Sequence, residues 1–287
     1  MKSIWRLGLL AVVAMLAALP ACAEKHPEWT GPMEPFRIVG NLYYVGSEDL
    51  AAYLVVTPKG NILINSNLKS SPPLIKASIE KLGFRYEDTK ILLISHAHFD
   101  HCAGSAEVVR ETGAQYMVMD GDVPVVESGG AKDFAYGKDP DDQYPPARVD
   151  RVLHDLDTVE LGGTALTAHK TAGHTRGTTT WTLDEAEGGR TLHVVIVGSP
   201  NVNPGYKLVG NAVYPEIAAD YAHGFAVLKG LACDIFLGAH GGYFDMKAKV
   251  KRLKAGKTDV FVDPAGYKAY IADREAAFER ELARQRG

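Results

Sequence analysis

Seven consecutive residues limit what this chain can fold into more than any other feature. Ser95-His96-Ala97-His98-Phe99-Asp100-His101 holds three imidazoles and a carboxylate. It directly follows Ile91-Leu92-Leu93-Ile94, an unbroken apolar run that reads as a strand buried on both faces. Alternate residues of an extended segment project to one side, so His96, His98 and Asp100 are expected to converge. Adjacent His101 is then expected to point elsewhere, which suits two neighbouring metal ions better than one. Neutral imidazole nitrogen and carboxylate oxygen are what zinc takes, at roughly 2 Å. A polar strand end of solvated histidines is the competing reading, and it leaves so dense a cluster unexplained.

Two further histidines stand where strands or loops are expected to end. His174 lies in Thr171-Ala172-Gly173-His174-Thr175, and His240 in Leu237-Gly238-Ala239-His240-Gly241-Gly242. Glycine beside each lets backbone come close to a ligand. Alone, either would more often be an ordinary buried histidine; beside the cluster, each is expected to be a ligand. The remaining histidines (His26, His154, His169, His193, His223) lack such surroundings and are read as structural.

Around these residues the chain alternates short strands and helices. Strands are expected at 42–45, 53–56 and 62–64, then a helix over 72–81 with proline at its start and Gly83 past its end. A helix over 103–112, closed by Gly113, leads to a strand at 115–119. The second half repeats the scheme, with strands at 152–153, 157–161, 165–169, 178–183 and 192–197, a helix over 215–228, a buried strand at 234–237 and a final helix over 264–284. Two β-rich halves, each flanked by helices and with no linker between them, predict a four-layer αβ/βα sandwich forming one domain over 24–287. The segment 127–148 fits no element; its aromatic residues Phe134, Tyr136 and Tyr144 point to a lid or pocket wall.

The chain of 287 residues is 46% hydrophobic and 23% charged, the balance of a globular enzyme with a sizeable core. Its net charge of -4, without runs of like charge, suggests neither nucleic acid nor a membrane surface as partner. Nothing in it suggests more than a monomer. The first 23 residues differ: Lys2 and Arg6 precede an apolar run from Leu7 to Leu19 and then Pro20-Ala21-Cys22-Ala23, the pattern of a secretory signal peptide. The run is shorter than the ~20 apolar residues of a membrane span, so the protein is expected to be periplasmic. Leu19-Pro20-Ala21-Cys22 also loosely resembles a lipoprotein box, which would make Cys22 a lipid anchor, although proline is unusual there.

The His-x-His-x-Asp-His signature, the later Gly-His-Thr and the glycine-flanked His240 resemble the metallo-β-lactamase superfamily, over nearly all of the mature chain. More narrowly, they are similar to subclass B3 metallo-β-lactamases. That resemblance implies the αβ/βα sandwich with a dinuclear site at the edge between the sheets. It implies that His96, His98 and His174 hold one zinc and Asp100, His101 and His240 the other. The superfamily also contains glyoxalases, lactonases and nucleases. Where glyoxalase-like and lactonase-like relatives place a bridging aspartate, and other β-lactamase subclasses a cysteine, this chain has Gly198-Ser199 running into Asn203-Pro204-Gly205-Tyr206. A serine there resembles the B3 enzymes.

The function so implied is zinc-dependent hydrolysis of the amide of penicillins, cephalosporins and carbapenems by a metal-bound hydroxide, since zinc lowers the pKa of water toward ~7. Asp100 would orient the nucleophile, Ser199 would hydrogen-bond water at the second zinc, and Asn203 would contact the substrate carboxylate. Two other readings are a hydrolase of the same fold acting on lactones or thioesters, and a non-catalytic zinc protein. The missing aspartate disfavours the first, and three ligands per ion rather than four disfavours the second. Many B3 enzymes also carry a disulfide whose first position matches Cys233 and whose second falls at Tyr267, so the bridge is expected to be absent. Cys102, next to His101, is expected to be a free thiol sensitive to oxidation.

Overall fold

The period-two alternation of the strands sorts their side chains into two cores, and that sorting builds the layers. The computed structural model describes residues 26–287; the expected leader at 1–23 and Cys22 lie outside the described residues. One sheet contains β1 (Phe36–Val39), β2 (Leu42–Tyr44), β3 (Tyr53–Thr57), β4 (Gly60–Ile64), β5 (Thr89–Leu93), β6 (Gln115–Met119) and β7 (Arg151–Leu153), in that spatial order. The second runs β12-β11-β10-β9-β8, from β8 (Thr158–Leu161), β9 (Thr164–Lys170), β10 (Thr179–Glu187), β11 (Arg190–Val197) and β12 (Ile235–Gly238). The helices are α1 (Pro72–Lys81), α2 (Phe99–Cys102), α3 (Ser105–Thr112), α4 (Val123–Glu127), α5 (Ile217–Gly230), α6 (Met246–Lys254) and α7 (Pro264–Arg286).

Val55, Ile62, Ile64 and Leu93 of the first sheet share a core with Leu166, Trp181, Leu183 and Ile196 of the second. Their neighbours Leu54, Leu63 and Leu92 turn the other way, onto Ile75 and Ile79 of α1 and Val108 of α3. Beyond the second sheet, Phe225 of α5 packs on Phe278 of α7 with ring centroids 5.7 Å apart. The result is the helix–sheet–sheet–helix sandwich that the sequence predicts. Each fully buried Leu or Ile in these layers contributes about 1.5–3 kcal/mol.

The predicted elements are present, with instructive differences. β10 and β11 run longer than expected, because Gly188 and Gly189, both at positive φ, turn them into one hairpin. β1, α4 and α6 were not expected. The helix expected over 103–112 starts two residues later, as α3 at Ser105, and a separate single turn, α2, precedes it from Phe99. The 127–148 segment is irregular apart from one short turn at Pro140–Asp142.

β4 and β5 pair in parallel, as do β11 and β12, and the C-terminal ends of these strands reach one common edge. Hydrogen bonds stitch the two sheets together there. Trp181 donates through Nε1 to the carbonyl of Ile94 at 3.0 Å, and the Thr179 amide donates to the carbonyl of Ser95 at 2.7 Å. The Ala51 amide meets the carbonyl of Ala239 at 3.0 Å, and the Tyr53 hydroxyl meets that of Gly238 at 2.6 Å.

Candidate metal centre

After the buried β5 the chain cannot continue as strand, because Ser95 is tied across to Thr179 and to the Asn65 side chain. His96 and His98 follow on this extended stretch, and α2 then begins at Phe99 with His98 in extended conformation before it. The helical turn changes the geometry read from the sequence. Asp100 and His101 are successive residues on one turn, about 100° apart rather than 180°, and both lean the same way. Asp100 Oδ2 lies 3.2 Å from His101 Nε2, so the expected divergence of His101 from Asp100 is corrected.

All six sequence-selected residues come together. Donor atoms of His96, His98 and His174 lie within 4.8 Å of one another, as do those of His96, Asp100 and His101. His240 completes the second group, with its Nε2 3.1 Å from His101 Nε2 and 3.5 Å from Asp100 Oδ2. His174 is placed by Gly173, whose φ of +132° suits glycine and where a Cβ would sit 2.6 Å from the Tyr221 ring. His240 follows β12 and is carried in by a bridge between its backbone and Leu50.

Hydrogen bonds at the outer ring nitrogens fix the inner ones. His174 Nδ1 meets the carbonyl of Asn201 at 2.8 Å, His240 Nδ1 meets Asp49 Oδ2 at 2.8 Å, and His96 Nδ1 meets Ser95 Oγ at 3.2 Å. Each leaves Nε2 facing the centre, the pattern by which carboxylates and carbonyls orient metal-binding imidazoles. Burial, reinforced by neighbouring imidazoles, lowers the pKa of His96 and His174 well below the ordinary value, and burial pushes His98 down to about 4. Burial also lowers His101. These four rings are therefore neutral, as a metal ligand must be. Burial would raise the Asp100 carboxyl, but His101 and His240 outweigh it and hold it well below the usual range. His240 moves up despite burial because of Tyr243, Asp100 and Asp49, and a setting that favours a proton there also favours a metal cation. With five inward nitrogens and an ionised carboxylate, the donor set fits zinc.

The centre forms the floor of a cleft of about 550 Å³. Asn203 lines it, with its Nδ2 donating to Tyr136 OH at 3.0 Å. Ser199 sits behind the wall, 2% exposed, and its Oγ pairs with Tyr243 OH at 3.2 Å. The 127–148 segment forms one wall through Gly130, Asp133, Tyr136, Asp142 and Tyr144, as its aromatic residues suggested. Sequence reasoning missed Asp49, Asn201 and Tyr243, which also line the cleft, and the buried Asp122. Asp122 accepts hydrogen bonds from the amides of Ala97 and Gly177 and from Thr175 Oγ1, all within 2.9 Å. It thereby joins the loop of His96 and His98 to that of His174. A carboxylate flanked by glycine and valine carries no signal of this; only the Asn-Pro-Gly-Tyr run hinted at residues past Ser199.

Cys102 and Cys233 are both free, as expected. The expectation that Cys102 is reactive is overturned. Its Sγ donates to the carbonyl of His98 at 3.2 Å, it is 1% exposed, and burial raises its pKa well above that of an ordinary thiol. Proximity to the centre does not outweigh lost hydration.

The chain matches the family model of the metallo-β-lactamase superfamily over residues 50–187. It is 57% identical to the native FEZ-1 metallo-β-lactamase from Legionella gormanii, with a TM-score of 0.88, covering 89% of this chain and 98% of that one. The class B3 di-zinc metallo-β-lactamase LRA-12 from an Alaskan soil metagenome is 38% identical with a TM-score of 0.84, covering 88% of this chain and 96% of that one. A more distant curated relative, a UPF0173 metal-dependent hydrolase of Anaeromyxobacter dehalogenans, is 26% identical over 209 residues, which is 72% of this chain and 67% of that protein.

Proposed function

Because the chain belongs to the metallo-β-lactamase superfamily, we propose from its likeness to the B3 enzymes that it is a zinc-dependent β-lactamase, hydrolysing the β-lactam amide bond. The observation that carries this reading is the convergence of His96, His98 and His174 beside Asp100, His101 and His240 on the floor of one open cleft. Each group offers three protein ligands, the number that leaves a zinc ion open to substrate. Bound there, two zinc ions would make a nucleophile available from water at neutral pH and polarise the lactam carbonyl.

The chain's own residues supply the rest. Asp100 stays ionised, so it is a poor proton acceptor and a good orienting group for an attacking water. Asp49 and the carbonyl of Asn201 hold His240 and His174 in the tautomer that leaves Nε2 free. No lysine or arginine lines the cleft among the described residues. Recognition of a β-lactam carboxylate therefore falls to neutral donors: the Asn203 amide, the Asn201 amide and the Tyr243 hydroxyl, itself braced by Ser199. Ser199 then acts on substrate through Tyr243. Export to the periplasm, supported by the Lys2–Ala23 pattern, would place the enzyme where β-lactams act.

The test is hydrolysis of a chromogenic cephalosporin with metal content measured alongside. We expect two zinc ions per chain, loss of turnover on chelation, and recovery on adding zinc. Asp100→Asn should keep the fold and lose at least the roughly 10–100-fold typical of disturbed metal-site partners. A metal-stripped preparation turning over at full rate, or Asp100→Asn within about twofold of the parent, would refute the reading.

A further inference from the structure

One carboxylate oxygen in the cleft wall is buried without a partner. Asp133, in the 127–148 segment, has a side chain only 5% exposed. Its Oδ1 accepts from the amides of Ala135 at 2.8 Å and Tyr136 at 2.7 Å, which shapes the local turn. Its Oδ2 has no hydrogen-bond partner and stands 3.7 Å from His98 Nε2. A buried carboxylate oxygen left unsatisfied is unfavourable, and native structures seldom tolerate one without a use.

The other side of this gap has the complementary need. If His98 binds metal through Nδ1, its Nε2 must carry the proton and requires an acceptor. Two groups are in reach. Tyr206 OH lies 3.4 Å from Nε2 and gives its own proton to the carbonyl of His174 at 2.9 Å, so it can accept from Nε2 only as a neutral oxygen. Asp133 offers an ionisable oxygen with no other obligation, and a charged acceptor makes the stronger bond. Neighbouring contacts keep the carboxylate in place. Phe134 packs between Tyr206 and Tyr214, with centroids 5.0 and 5.1 Å away, and Tyr144 OH donates to the carbonyl of Ala97 at 2.8 Å.

We propose that Asp133 is the positioning residue for His98: its Oδ2 accepts the Nε2 proton, so the 127–148 wall sets the metal affinity of the His96–His98–His174 group. This rests on reading His98 as a ligand. It makes the segment a structural part of the metal centre, where a lid would be free to move without touching metal affinity.

Three kinds of variant of the mature enzyme separate the possibilities. Asp133→Asn keeps an acceptor for the Ala135 and Tyr136 amides and removes the carboxylate; Asp133→Ser keeps a weaker such acceptor should the first fold poorly. Tyr206→Phe removes the rival hydroxyl. The readouts are zinc affinity by competition with a chromophoric chelator and the visible spectrum of the cobalt-substituted protein, with circular dichroism reporting the fold. Asp133→Asn should weaken one of the two metal ions by about 10–100-fold and shift its cobalt band, leaving the other ion unchanged. Tyr206→Phe should stay within about twofold. Unaltered metal affinity and spectrum in folded Asp133→Asn and Asp133→Ser would overturn the proposal, as would a loss carried by Tyr206→Phe alone. If the parent enzyme itself bound no metal, the ligand reading would fail first, and visibly apart from these comparisons.

Discussion

Among single residues, Asp122 shows how a group with no part in the chemistry can govern it. Burial pushes its carboxyl up to about 7, although Thr175, Gly177 and Ala97 all donate to it. An unfolded aspartate titrates near ~3.9. Between roughly pH 4 and pH 7 the folded chain therefore holds a proton at Asp122 that the unfolded chain has released. Binding more protons when folded means that this group's contribution to stability falls as pH rises through that window. Asp122→Asn should flatten that part of the stability–pH curve, measured by urea unfolding at constant metal load. It should also cost about 1–3 kcal/mol, because an amide cannot accept from three donors. An unchanged pH dependence would show that Asp122 does not titrate there.

At the scale of elements, the part of the fold that sequence reveals is the part ruled by periodicity. The buried runs of β5, β6 and β12, and the proline and glycine bounding α1, predict those elements closely because apolar spacing and backbone constraint act locally. α6 escaped because Met246-Lys247-Ala248-Lys249-Val250-Lys251 offers few apolar residues; its core contact is made by Met246, Val250 and the stem of Lys249. The candidate metal ligands were legible as residue types, whereas Asp49, Asn201 and Tyr243 were not. Docking of the two sheets brings Asp49 to His240, and pairing of strands distant in sequence within the second sheet brings Asn201 to His174 and Tyr243 to Ser199. Trp181 is the clearest agent of that docking, 1% exposed between the sheets and bonded to Ile94 two residues before His96. Trp181→Phe removes buried volume and orphans that carbonyl, so a loss of about 2–4 kcal/mol is expected in chemical denaturation. A loss under about 1 kcal/mol would mean that the core closes without it.

For the molecule as a whole, no disulfide is present among the described residues, and noncovalent contacts do its work. Where the bridge of many B3 relatives would end, Tyr267 is 2% exposed and donates to the carbonyl of Leu228 at 2.6 Å. Beside it Asp263 caps α7 and lies 2.8 Å from the buried Lys249, close enough to pair in charge though not aligned as a hydrogen bond. Thiol reagents should therefore count two groups, Cys102 and Cys233, in a denatured chain lacking residues 1–23, without reductant. In the native enzyme Cys233, the more exposed of the two, should react first and Cys102 only on unfolding. A count of zero after denaturation, or fast native labelling of Cys102, would contradict this.

The stitched edge also implies its opposite. β9, β11 and β12 deliver their C-terminal ends to the metal centre, so the hairpin turns at Gly162-Gly163 and Gly188-Gly189 lie at the far end of the second sheet. There a Cβ on Gly163, Gly188 or Gly189 would meet nothing within 4 Å. The sandwich thus has a working rim and a permissive one. A short peptide tag spliced between Gly188 and Gly189 should leave zinc stoichiometry and turnover within about twofold of the parent, as insertions at exposed turn tips generally do. The same tag between Gly241 and Gly242, where the Asp49 carbonyl and side chain hold the backbone beside His240, should abolish both. Carriers, labels and fusion partners can be attached to this enzyme from one end without reaching its chemistry.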